Sequence, residues 1–76
     1  MLMYNIQLWA KGGRKLRVWH GVTKKGMYRA FNESHLYEPS WAYWNVYERT
    51  KQNKRGGFLG RVYRDRLSTL QAVLKK

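Results

Sequence analysis

Residues Tyr4-Asn5-Ile6-Gln7-Leu8-Trp9-Ala10 alternate with a period of two, the signature of a strand with one buried face. Gly12-Gly13 marks a turn. Arg14 to Val22 then alternates again, with Leu16, Val18, His20 and Val22 on one face. Register constrains this hairpin, which covers 4–22. A two-residue Gly-Gly loop sets Leu8 opposite Arg17 and throws the two apolar stripes onto opposite faces, because one residue of slip turns every side chain over. A loop of three or five residues with a glycine bulge pairs Leu8 with Leu16 or Val18 and keeps the stripe whole. The expected core stripe is therefore Tyr4, Ile6, Leu8, Leu16 and Val18. Trp9, Arg17 and Trp19 fall on the other face with Lys15.

Thr23-Lys24-Lys25-Gly26 reads as a second turn, Met27 to Phe31 as a short third strand and Asn32-Glu33-Ser34-His35 as a loop. Pro39 holds its predecessor extended and breaks the pattern at Glu38-Pro39-Ser40. Trp41 to Arg49 is the strongest strand, rich in aromatic and β-branched residues. One of its faces carries Ala42, Trp44, Val46 and Glu48; the other carries Trp41, Tyr43, Asn45, Tyr47 and Arg49. A basic turn, Lys51-Gln52-Asn53-Lys54-Arg55-Gly56-Gly57, leads to a returning strand at Phe58-Leu59-Gly60-Arg61-Val62-Tyr63, so 41–64 is a second hairpin. Leu67, Leu70, Val73 and Leu74 recur at helical spacing, and Ser68 with Gln71 matches a capping box; 66–75 is expected to be a helix. So short a helix is marginal alone and must dock on the sheet, and Trp44 is expected to pack against it. The whole chain, 1–76, reads as one α+β domain: a small antiparallel sheet of four to five strands packed on one C-terminal helix.

Composition narrows the function. The chain has 76 residues, no cysteine and two histidines, His20 and His35, which excludes disulfide staples and thiolate metal sites and leaves too few ligands for zinc. No metal and no cofactor is expected. No window approaches a membrane span, and the start lacks the basic and apolar regions of a signal peptide, so a cytoplasmic protein is expected, nucleoid-associated if bacterial or phage. The four acids, Glu33, Glu38, Glu48 and Asp65, are scattered, without the carboxylate pairing of hydrolases, and no phosphate-cradling glycine loop occurs. One enzyme class fits the residue types: a metal-independent ribonuclease toxin using His20, His35, Arg61 and Tyr63 for acid-base help and charge stabilisation. A non-enzymatic binding protein with no small-molecule substrate fits better.

The charge is the reason. Sixteen Lys and Arg face four acids, for a formal charge of +12, in a chain with four Trp, six Tyr and two Phe. A polyanion relieves the resulting self-repulsion. Guanidiniums next to rings supply phosphate attraction together with base contact. Cations that merely solvate a face do not need a more than threefold excess of one sign. The expected nucleic-acid-binding residues are Arg14, Lys15, Arg17, Trp19, Tyr47, Arg49, Lys51, Lys54, Arg55, Arg61, Tyr63 and Arg64. Arg49, Arg61 and Arg17 suit base reading; Lys51, Lys54 and Arg55, at a turn, suit phosphates. Trp41 and Tyr43 stand between two roles, stacking on bases or packing under the N-terminal hairpin. Duplex DNA is favoured over RNA. The second partner class is a host protein or nucleoprotein complex blocked by a phage-type accessory protein, since Trp, Tyr and Arg are also the anchors of protein interfaces.

From Trp41 onward the chain resembles two related DNA-binding modules: the amino-terminal arm-binding domain of tyrosine-family phage integrases and the ethylene-response-factor type domain. The matching positions are Trp44 and Val46, the Lys-Arg-Gly turn at 54–56, Leu59-Gly60, and the helix from Ser68 to Leu74. Both modules are three-stranded antiparallel sheets backed by one helix that lay the sheet in the major groove. The resemblance implies that Arg49, Arg61 and Tyr63 face DNA. It covers about 35 residues, and the separate hairpin at 4–22 takes the place of the modules' first strand.

Overall fold

The computed structural model describes residues 3–49 and 56–75. Four strands and two helices follow one another as β1 (Met3–Ala10), β2 (Lys15–Val22), α1 (Lys24–Tyr37), β3 (Trp41–Arg49), β4 (Phe58–Tyr63) and α2 (Leu67–Leu74). The strands form one antiparallel sheet in the order β2-β1-β3-β4. The fold is α+β, and the C-terminal helix packs on the sheet.

Three residues, Lys11, Gly12 and Gly13, lie between Ala10 and Arg14, which pair across the β1–β2 loop. Ala10 N donates to Arg14 O and Gly13 N to Ala10 O, with Gly13 at φ 86°, a left-handed position that glycine adopts without strain. The pairing nevertheless departs from the expected register. A bulge at Leu16 puts Leu8 opposite Arg17, and a second irregularity near His20 puts Tyr4 opposite Val22. Trp19 therefore stands opposite buried Ile6 and packs on the core, whereas Val18 stands opposite Gln7 and is exposed. Each bulge adds one residue to one strand and turns the residues beyond it to the other face.

The largest correction concerns residues 24–37, read from sequence as turn, strand and loop. They form a 14-residue helix. Thr23 is its N-cap, with Oγ1 accepting from Gly26 N at 3.1 Å. Met27, Ala30, Phe31 and Ser34 form its buried stripe. Two helices, not one, thus cover the sheet. Trp44, expected against the C-terminal helix, shares one core with Leu70, Val73 and Leu74 and also packs against α1: its ring lies 5.7 Å from that of Phe31, and its Nε1 donates to Ser34 Oγ. A bulge at Ala42 turns Trp41 to the same side, so it is buried and stacks on Trp44 at 5.9 Å.

In α2 the buried positions are Leu70, Val73 and Leu74, while Leu67 is exposed. Ser68 is not the cap. The helix begins at Leu67, and Thr69 Oγ1 ties the preceding turn together by accepting from Tyr63 N and donating to Arg66 O. One core joins Tyr4, Ile6, Leu8, Trp44, Val46 and Val62 of the sheet to both helices. Among the described residues no helix is long and apolar enough to cross a membrane.

Candidate nucleic-acid interface

With both helices on one side, the opposite side of the sheet is covered by none of the described elements. Residues directly opposite one another on paired strands share a face, so the register writes out this open face row by row. Lys15, Trp9, Tyr43 and Tyr63 run across all four strands. Val18, Gln7, Asn45 and Arg61 form the next row, and Asn5, Tyr47 and Phe58 the third.

The first row is a continuous line of rings. Trp9 and Tyr43 lie 6.5 Å apart at an interplanar angle of 12°, and Tyr43 and Tyr63 lie 6.5 Å apart at 49°. Lys15 Nζ stands 5.9 Å from the Trp9 ring. The Arg61 guanidinium lies 4.7 Å over Tyr43, and its Nε donates to Asn45 Oδ1 at 3.1 Å. Stacking and hydrogen bond together fix the plane of that guanidinium. Farther along, Tyr47 meets Phe58 edge-on at 5.5 Å. Arg49 starts on β3 and reaches across β1: its Nη1 comes within 3.4 Å of where a Cβ on Gly21 of β2 would stand. Asn5, buried beneath, accepts from Gly21 N and holds the β2 bulge in place.

Backbone pairing places two basic segments beside the ring row. Ala10 pairs with Arg14, which brings the Lys11–Arg14 loop to the row's β2 side. Arg64 N donates to Ala42 O, which brings the turn containing Arg64 and Arg66 to its β4 side.

The structure thus gathers Lys15, Tyr47, Arg49, Arg61 and Tyr63 on one face, with Arg14 at its rim. Arg17 and Trp19, expected on that face, stand on the helix side. Trp19 leans on Trp44 at 6.2 Å, and Arg17 lies between the Trp19 ring at 5.8 Å and the Tyr37 ring at 5.4 Å. The Arg64 side chain donates to Pro39 O and is tied to the β3 end of the molecule. Lys51, Lys54 and Arg55 lie outside the described residues. Trp9, which is not among the expected interface residues, and Tyr43, which stood between two roles, are joined by the pairing of β1 with β3, which alternation cannot supply.

The other chemistry named from sequence is dispersed. His35 sits on the helix side, with Nδ1 2.9 Å from Phe31 O and its ring against Trp41. His20 is on β2 and Arg61 and Tyr63 are on β4, at opposite edges of the sheet. Among the described residues no group of three His, Asp or Glu could hold a metal ion. Burial, with the Glu48 charge opposite, pushes the Tyr4 phenol above its ordinary value, but Tyr4 faces the core. No protein-family model, curated protein or solved structure matches this chain.

Proposed function

We propose that this protein binds nucleic acid through the open face of its sheet, without catalysing a reaction. The observation that carries the reading is the meeting of rings and cations on one surface that none of the described elements covers: Trp9, Tyr43, Tyr47, Phe58 and Tyr63 with Lys15, Arg49 and Arg61. The formal charge of +12 supplies long-range attraction for a polyanion. Among the described residues one ion pair, Arg29 with Glu33, neutralises a cation, and it lies on α1. Lys and Arg on the sheet and at its rim release counterions from phosphates, and the rings make the closer contacts.

The test is an anisotropy titration of the whole chain with labelled DNA and RNA between about 50 mM and about 200 mM salt. The binding constant falls steeply, the log-log slope steepening by about 0.9 for each duplex phosphate neutralised. Binding indifferent to salt, or no binding, removes the reading and leaves the protein-partner alternative, whose complex survives high salt.

A further inference from the structure

We infer that the open face takes an unpaired strand of nucleic acid, with successive bases laid on Trp9, on the Tyr43–Arg61 stack and on Tyr63. The inference rests on the nucleic-acid reading above and narrows it to one ligand class. Spacing is the first reason. Neighbouring rings in the row are separated by 6.5 Å at both steps, about twice the ~3.4 Å rise between neighbouring nucleotides of a duplex strand. Bases that occupy adjoining rings must be pulled apart from one another. An unpaired strand allows that, and a duplex, whose bases are stacked and paired, does not.

Width is the second. Four strands at the usual ~4.8 Å separation span about 14 Å before side chains are added. The major groove, about 12 Å wide, admits a helix or a two-stranded ribbon. Trp9 and Tyr43 are on the two inner strands, so neither reaches base edges unless the outer strands enter with them. The modules that the C-terminal half resembles have three strands; this sheet has four, and rings fill its central positions.

Charge is the third. The basic loop at Lys11–Arg14 and the turn bearing Arg64 and Arg66 flank the two ends of the row. A strand crossing from β2 to β4 keeps its phosphates near cations while its bases lie over the rings. Arg61, held by Asn45, lies over the middle ring, so a base crossing there stacks on the guanidinium plane while the terminal nitrogens meet a phosphate or a base edge. Every base has a π-face, so stacking of this kind tolerates sequence.

The experiment compares a thymidine oligomer, a uridine oligomer and a mixed-sequence DNA duplex of equal length at one salt concentration. Anisotropy and tryptophan quenching are both recorded. Single strands bind roughly tenfold or more tightly than duplex, and Tyr63→Ala weakens single-strand binding about 5- to 150-fold, the range for losing one base stack. Arg29→Gln, on the helix side, changes single-strand affinity less than twofold. Tyr63 is 42% exposed at the end of β4 and tolerates truncation; Tyr43→Leu is the second variant, with folding checked by circular dichroism. A preference for thymidine or uridine identifies the source of the strand and supports the inference either way. Duplex binding as tight as single-strand binding overturns it, as do folded ring variants with undiminished affinity; in both cases salt-dependent binding keeps the broader reading. No binding to any of the three ends both.

Discussion

Trp44 Nε1 on β3 donates to Ser34 Oγ on α1 at 3.1 Å, and Ser34 Oγ in turn donates to Ala30 O at 2.8 Å. Both residues are buried, so this relay is a polar tie between α1 and the sheet. Ser34→Ala leaves the buried indole N–H without its acceptor, which costs about 1–3 kcal/mol. Urea unfolding reads this as a lower midpoint with an unchanged slope. A wild-type midpoint in the variant means that the relay does not stabilise the fold.

Gly56 and Gly57 stand side by side and answer differently to alanine. Gly56 has φ 72°, and a Cβ there would lie 1.5 Å from the Glu48 carbonyl oxygen; Gly57 has nothing within 4 Å. Glu48 N donates to Gly57 O at 2.8 Å, and this bond holds the Glu48 backbone close beside Gly56. Gly56→Ala destabilises by about 2 kcal/mol or more, because backbone must move as well as adopt a strained dihedral. Gly57→Ala stays within about 0.5 kcal/mol of wild type. Thermal melts of the two variants make the comparison.

Arg61 over Tyr43 supplies a test of geometry against charge. Arg61→Lys keeps the charge and loses the planar stack and the Nε bond to Asn45. Affinity for nucleic acid falls severalfold, whereas Arg29→Lys leaves it unchanged. Arg61→Gln also flattens the salt slope by about 1 if Arg61 contacts a phosphate. Equal affinities for wild type and Arg61→Lys would reduce Arg61 to a diffuse charge.

Tyr4 makes stability depend on alkaline pH. Burial, and secondarily the Glu48 charge, raise its phenol above the unfolded value of about 10. The folded state then holds the proton more tightly than the unfolded one, so the contribution is fully present below about pH 10 and is lost as pH rises through the raised value. The stability difference between wild type and Tyr4→Phe is flat through neutral pH and moves against wild type above about pH 10. Using the difference cancels the other tyrosines and the lysines that titrate in the same range. A difference constant up to strongly alkaline pH contradicts the shift.

Alternation located β1, β2 and β3, the return after a basic turn located β4, and the helical spacing of Leu70, Val73 and Leu74 located α2. Helix α1 escaped because Gly26 lies in its first turn and Asn32, Glu33 and His35 crowd its last two, so the apolar stripe is thin and the segment reads as turn and loop. The faces of β2 and β3 escaped for a different reason. A bulge changes which way a side chain points without changing composition, and bulges at Leu16 and Ala42 moved Trp19 and Trp41 to the core side and left Val18 on the open one.

The candidate surface divides in the same way. The excess of cations, the abundance of rings and the basic-aromatic segments that hold Arg61 and Tyr63 are properties of the chain itself, because charge and hydropathy are local. Which rings meet is not local. Trp9 and Tyr43 lie 34 positions apart in sequence and become neighbours only because β1 pairs with β3 rather than ending the sheet. Strand order and bulges bring Trp41 and Trp44 together against Phe31 of α1, a meeting of distant side chains in one small core. Local chemistry along the chain therefore supplies the cations and the rings, and long-range packing selects which of them share the uncovered face.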